Sequence, residues 1–323
     1  MWRKRLIALS IGSLIALVMI EGGFRLTGIE PPKVTTDEQR AAARVRLTRE
    51  NEEERNSLGF HDYEWEREKP EGTWRIFFLG DSFTENSRVA LYETFVKRVE
   101  RSLNETAPAG RRYELFSVSR GGWGTGQEYR ELLRMQDYQP DAVVVVYFIN
   151  DATGIGSNPT LAKDLNDATM NRDGWLNGVS ELYDWLDYNR RRQQVTEVTF
   201  RDYHDSFLGS EQAQERWHDS KEVLEKMKRW TKGHNIRMGL VLFPVLVQLR
   251  EDHDLVPLYD MVLEHCRELE LPATSLLPAF YGRDAESMWA SPTNSHPNAE
   301  ANALVVAPIE EFLRREELIP RED

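Results

Sequence analysis

The stretch Ile76-Phe77-Phe78-Leu79-Gly80-Asp81-Ser82-Phe83-Thr84 decides the fold. A run of bulky and β-branched residues that stops at glycine is the pattern of a central strand in a parallel sheet, buried on both faces. Ligands of such sheets sit beyond the carboxyl ends of the strands. The chain therefore brings a serine to the edge where chemistry is done. A serine there becomes an acyl acceptor once a base and an oxyanion site join it. Gly-Asp-Ser is also ordinary strand-to-loop punctuation, so its meaning depends on what else reaches the same edge.

Three further segments arrive there. A second strand, Tyr113 to Val118, empties into Ser119-Arg120-Gly121-Gly122-Trp123-Gly124-Thr125-Gly126-Gln127, whose four glycines in nine positions permit close backbone approach and leave an N–H free to donate. A third, Ala142 to Phe148, is apolar throughout and ends in Ile149-Asn150-Asp151, which places Asn150 at the rim of the sheet. Near the C-terminus, Asn294-Ser295-His296-Pro297-Asn298 precedes a helical pattern from about Ala299, and a proline suited to a first helical turn puts His296 at the helix entrance. Further strands are expected at Met238 to Phe243 and around Thr274 to Leu277, and helices at Glu93 to Leu103, Gln127 to Met135 and Ser210 to Lys232. Strands alternating with helices give an α/β class with a parallel sheet of about five strands.

The order Gly-Asp-Ser, glycine loop, Asn-Asp after an apolar strand, and His-Pro-Asn before the last helix resembles the SGNH hydrolases, the GDSL esterase/lipase superfamily. The resemblance runs from about Asn56 to Leu313, though only the four short blocks are specific. It implies a three-layer, flavodoxin-like doubly wound fold and a serine esterase that uses no cofactor or metal. It also implies roles: Ser82 as nucleophile and oxyanion donor, Gly122 and Asn150 as further oxyanion donors, and His296 as base. Gly122 is preferred to Gly121 because Trp123-Gly124-Thr125 follows it directly.

One position departs from the family pattern. Where members carry an aspartate two or three residues before the histidine, this chain has Asn294 and Thr293. An asparagine orients an imidazole but supplies no charge to stabilise imidazolium, and the equivalent change in a serine protease costs about 10⁴ in turnover. Three readings stand open: a Ser-His pair oriented by Asn294 or backbone, a carboxylate recruited from Asp284, Glu286 or Glu300, or a weakened enzyme. Function accordingly has three forms. The first is an esterase removing a small O-acyl group, such as acetyl, from a glycan; the second is an O-acyltransferase using the same site; the third is a degenerate member that binds glycan without turnover.

Composition narrows the partners. Forty-one basic against 54 acidic residues, a net charge of −13, argue against nucleic acid or anionic lipid and favour a neutral partner. The single cysteine, Cys266, excludes an internal disulfide and, at helical spacing among apolar residues, reads as a buried structural thiol. Arg3-Lys4-Arg5 followed by uncharged Leu6 to Ile20 reads as a membrane leader. Fifteen helical residues span about 22 Å against a hydrocarbon core of roughly 30 Å, so the helix must continue through Phe24 and Leu26 to act as an anchor. With no small-x-small cleavage site, residues 1 to 29 read as an uncleaved signal anchor, and the basic cluster puts the rest of the chain outside the cytoplasm.

Residues 30 to 55 read as a charged stalk, and the hydrolase domain as 56 to 323 with an insertion at about 154 to 235. Trp175, Tyr183, Trp185, Tyr188 and Tyr203 make that insertion a candidate sugar-binding wall, with packing of the insertion as the alternative for at least half of them. His61, His204, His218, His234 and His253 sit in polar settings that predict surface positions, and Asp252-His253-Asp254 reads as a solvated turn.

Overall fold

The computed structural model describes residues 2–27, 54–152, 178–291 and 294–321. The stalk up to residue 53, the insertion residues 153–177 with Trp175, and Thr293 lie outside the described residues. The elements run in the order α1 (Trp2–Thr27), β1 (Thr73–Gly80), α2 (Ser82–Glu85), α3 (Phe95–Glu105), β2 (Arg112–Ser119), α4 (Thr125–Arg134) and β3 (Ala142–Tyr147). They continue with α5 (Glu181–His204), α6 (Glu211–Gly233), β4 (Arg237–Leu242), α7 (Val256–Glu268), β5 (Ala273–Ser275), β6 (Trp289–Ser291), β7 (Asn294–Pro297), α8 (Ala299–Leu304) and α9 (Val306–Arg315).

Five strands form one sheet in the order β2-β1-β3-β4-β5, and every pairing in it is parallel. β1 is thus the middle of three strands whose carboxyl ends lie level, with Gly80 opposite Ser119 on one side and Val146 on the other. All six residues of β3 are buried, the burial that an uninterrupted apolar strand requires. α3 packs on β2 and on α9, while α4 packs on α6, so helices cover both faces of the sheet. α3 buries Phe95, Val96, Val99 and Leu103 as one stripe, each large apolar side chain contributing about 1.5–3 kcal/mol relative to exposure. At Gly239 in β4 a Cβ would meet Leu318 and Phe312 at 2.7 and 2.9 Å, so α9 and the segment after it lie directly on the sheet.

Three expectations are corrected. Pro297 is not in a helix: His296 and Pro297 belong to β7, which pairs antiparallel with β6, and the helix begins after Asn298, whose side chain caps Ala301 N. His61 and His253 are buried, not at the surface. His61 bonds the Glu85 carbonyl through Nδ1 at 2.8 Å, and the His253 ring packs against Phe200 and Tyr259. The insertion contains a 24-residue helix, α5, ahead of the one expected at Ser210 to Lys232. Its aromatics are not one wall: Tyr203 is buried in the core, and Trp185 packs edge-on against Phe24 of α1. Cys266 is fully buried as expected, and the buried thiol is pushed up to about 12 by desolvation.

The tightest approach in the fold falls at Gly80. A Cβ there would lie 2.1 Å from Thr84 Oγ1, 2.8 Å from Thr84 Cβ and 3.2 Å from the Val146 carbonyl oxygen. No side chain fits, because α2 folds back over the end of the strand that feeds it. Gly80→Ala is therefore expected to push α2 off the strand end, lowering the melting temperature by several degrees and cutting turnover at least 10²-fold. Wild-type turnover in Gly80→Ala would show that α2 adjusts without moving the serine.

Candidate active site

Ser82, Gly122 and Asn150 stand two to three positions beyond the ends of β1, β2 and β3, while Asn294 and His296 lie within β7. After β1, Asp81 caps α2 with its own carboxylate, which accepts Phe83 N–H at 2.8 Å. Ser82 then occupies the first position of the helix, where a backbone N–H has no intrahelical acceptor. The helix lasts one turn and stops at Asn86, whose φ of 40° and ψ of 46° are left-handed.

Facing Ser82 is the β6–β7 hairpin. His296 Nε2 lies 2.8 Å from Ser82 Oγ. On the far side of the ring, Nδ1 lies 2.6 Å from Asn294 Oδ1, which also accepts the His296 backbone N–H at 3.1 Å. Because an amide oxygen can only accept, Nδ1 carries the proton and Nε2 turns its lone pair to the serine hydroxyl. Asp284, Glu286 and Glu300 do not supply this contact. Asp284 accepts from Ser287 N, Glu286 from Tyr188 and Arg192, and Glu300 lies exposed in the first turn of α8.

The imidazole packs over Phe83, ring centroids 5.1 Å apart, and Phe83 is stacked on Phe148 at 3.9 Å. Burial in these surroundings, with the Arg88 guanidinium as second cause, pushes the His296 pKa down to about 4. The ring is neutral and able to take a proton at any pH well above that value. Arg88 is exposed, and sequence reading passed over it; no local pattern signals that it reaches the histidine.

Gly122 and Asn150, expected beside Ser82 as oxyanion donors, follow the strands flanking β1. In the glycine loop, Trp123 N–H bonds Arg120 O, and Gly122 sits within that turn at φ +80°, a left-handed value natural to glycine. Gly121 N–H is committed to Glu85 Oε2 at 2.8 Å. Gly122 N–H has no such acceptor among the described residues. Asn150 lies in the short helix Ile149–Ala152 after β3, buried, and donates from Nδ2 to Asp81 Oδ2 at 3.0 Å.

Two carboxylates missed in the sequence hold this arrangement. Asp81 joins α2 to Asn150, and its Oδ2 lies 3.5 Å from Ser82 Oγ. Burial raises its pKa to about 6, against the lowering effect of the hydrogen bonds from Phe83, Asn150 and Ser82. Glu85, on the same turn as Ser82, clamps the glycine loop through Gly121 N–H and is itself held by Arg55 Nη2 at 2.7 Å. Behind them lie Glu128 of α4 and Asp151, both buried. Neither oxygen of Glu128 has a hydrogen-bond partner among the described residues. Desolvation first, and neighbouring carboxylates second, raise both groups well above the usual range. A buried carboxyl with no cation beside it stays protonated.

No family model matches the sequence, and no curated protein matches it. Several solved structures are similar in fold. A two-domain esterase active on acetylated mannans, crystallised with mannopentaose, is 17% identical over 78% of this chain and 51% of that one, with a TM-score of 0.45. The chain thus spans about half the length of that protein. The lipase/acylhydrolase from Enterococcus faecalis is 16% identical over 77% of this chain and 100% of that one, TM-score 0.40. A catalytic mutant of Axe2, an acetylxylan esterase from Geobacillus stearothermophilus, is 16% identical over 79% of this chain and 100% of that one, TM-score 0.40. Likeness at this level assigns no residue role here. Fold and site by themselves define a doubly wound α/β protein with a serine-histidine pair at the carboxyl edge of its sheet. The sheet order is β2-β1-β3-β4-β5, with the serine, glycine-loop and asparagine blocks at that edge and the histidine block in the β6–β7 hairpin facing them.

The low histidine pKa makes a prediction with a defined sign. Protonation of His296 removes the base, so activity is lost as pH falls through about 4, not through the usual value of 6.5. Arg88→Ala removes one cause of the depression and is expected to move the acid limb of kcat/KM upward. Asn294→Asp places an anion on Nδ1 and is expected to move it upward further while raising kcat. Identical pH–rate profiles for wild type and both variants would contradict the assignment of His296 as the base.

Proposed function

We propose that this chain is a membrane-anchored, extracytoplasmic serine esterase that removes a small O-acyl group, acetyl in the first instance, from a glycan. The observation that carries it is the 2.8 Å contact of Ser82 Oγ with a histidine nitrogen whose opposite nitrogen is held by Asn294.

In the proposed cycle His296 Nε2 takes the hydroxyl proton as Ser82 Oγ attacks the ester carbonyl. The Ser82 and Gly122 N–H groups and the Asn150 amide receive the charge that develops on the carbonyl oxygen. Collapse expels the sugar alkoxide, which takes the proton from His296, and leaves an acyl-serine. Water, deprotonated by His296, then attacks the acyl-enzyme and releases the acid. A transferase passes the acyl group to a second sugar hydroxyl at that last step with the same residues.

A glycan is supported by a cleft of about 430 Å³, of mixed polar and apolar lining, between α5 and the loops after β4 and β5. Asn189, Arg192, Gln193, Gln248 and Arg283 line it, amide and guanidinium groups suited to rows of hydroxyls. Its wall at Arg283 to Ala285 continues through Glu286–Met288 into the hairpin that carries His296. The extracytoplasmic placement is supported by the basic residues Arg3, Lys4 and Arg5 at the start of α1 and by its 19-residue span Leu9–Thr27, of mean hydropathy 1.6, none of it buried.

The full chain in detergent is expected to release acetate from acetylated polysaccharide and from aryl acetates. Ser82→Ala should abolish the release, and Asn150→Ala should lower turnover by roughly 10²–10³ with an unchanged melting temperature. Acetyl transfer to an added oligosaccharide in place of free acetate would assign the transferase form. Glycan binding with no ester cleavage would overturn the enzymatic reading.

A further inference from the structure

The junction between the apolar helix α1 and the insertion helix α5 is built from complementary groups. Glu21 is the first charged residue after the run Leu6 to Ile20. Its carboxylate accepts Ser180 Oγ at 2.7 Å, Glu181 N at 3.0 Å and Leu182 N at 3.1 Å. Ser180 is the cap residue of α5, so Glu21 satisfies two of the N–H groups that a helix start leaves without acceptors and places a negative charge at the positive end of its dipole. Arg25, one turn further along α1, pairs with Glu21 at 2.9 Å and donates to the Val179 carbonyl at 2.7 Å. Phe24 meets Trp185 edge-on with centroids 5.6 Å apart.

These contacts fix where α5 begins relative to a bilayer. Glu21 and Arg25 are the charged residues of the last two turns of α1, so the residues bonded to them lie toward the end of the span, near the lipid headgroups. Two large apolar side chains are exposed on that start: Val179, 62% accessible, and Leu186, 52% accessible. Trp185 between them is a residue type enriched at the membrane interface. Further along α5, Tyr188 and Arg192 bond Glu286, which immediately precedes the hairpin bearing His296.

We infer that α1 is docked to α5 through Glu21 and Arg25, and that the first two turns of α5, with Val179 and Leu186, rest on the lipid surface and hold the catalytic edge in a fixed orientation to the membrane. The inference rests on α1 being a membrane anchor, and adds that the domain does not swing freely on residues 28–53. The occupant of the exposed apolar patch is the bilayer, because the patch is continuous with the helix that enters it.

The test uses the full chain reconstituted into phosphatidylcholine–phosphatidylglycerol vesicles. Leu186→Cys and, as a comparison, Val198→Cys are labelled with an environment-sensitive fluorophore; Cys266 is buried and the parent chain should take no label. The label at 186 is expected to be quenched by brominated lipid several-fold more than the label at 198, and less by aqueous iodide. Glu21→Ala should remove most of that difference while the protein still floats with the vesicles. A protein that floats but whose label at 186 responds like the one at 198 overturns the docking and leaves the anchor in place. A protein that fails to float overturns both. Because the readout needs no substrate, it stands apart from whether the site is an esterase.

Discussion

The absence of a side chain at residue 80 is the constraint on which the site depends. Gly80 lets Thr84 and the Val146 carbonyl close on the end of β1, so the chain turns at once from strand into helix and presents Ser82 on the first turn. Had the turn been wider, Asp81 could not have capped α2 and accepted the Asn150 amide together. The level ends of β2, β1 and β3 then do the rest. Three adjacent parallel strands in register deliver the glycine loop, the serine and the asparagine to one line, and the β6–β7 hairpin closes over it.

Electrostatics make this site unusual. A carboxylate beside Nδ1 would raise the histidine pKa and stabilise the imidazolium that forms during attack. Asn294 keeps the geometry and the tautomer but not the charge, and Arg88 works against the charged ring from another side. The carboxylate beside the serine hydroxyl is Asp81, whose Oδ2 lies 3.5 Å from Ser82 Oγ, with Glu128 and Asp151 interacting with it. Asp81 is raised to about 6, and Glu128 and Asp151 are held largely protonated by burial. On the proposed reading His296 is a base that stays neutral into acid solution and gains little when it takes a proton, a combination that joins tolerance of low pH to a modest rate.

The sheet was legible in the sequence because fully buried strands leave long apolar runs. Ile76 to Leu79, Ala142 to Phe148 and Met238 to Phe243 carry their own evidence of burial on both faces. Ser82 and His296 were legible through their motifs, and the structure brings them within hydrogen-bond distance. The roles of Asp81 and Glu85 were not. Both stand inside the nucleophile block, but the partners they hold, Asn150, Gly121 and Arg55, are distant in sequence and give no spacing to read. The hairpin at His296 was hidden for another reason. Pro297 satisfies the rule for a first helical turn as well as it fits the end of a short strand, and only its pairing with Trp289 decides. The aromatics of the insertion misled because composition cannot say which face a ring occupies, and Tyr203 and Trp185 serve packing.

The central claim is that Ser82 is a nucleophile activated by His296 without help from a carboxylate. The direct measurement is mass mapping of the protein after exposure to a fluorophosphonate at pH 5 and pH 8. The account predicts a single adduct, located by fragmentation to Ser82 and not to Ser87, formed at comparable rates at both pH values and absent from His296→Ala. An adduct at any other residue, no adduct at all, or equal labelling of His296→Ala would contradict it.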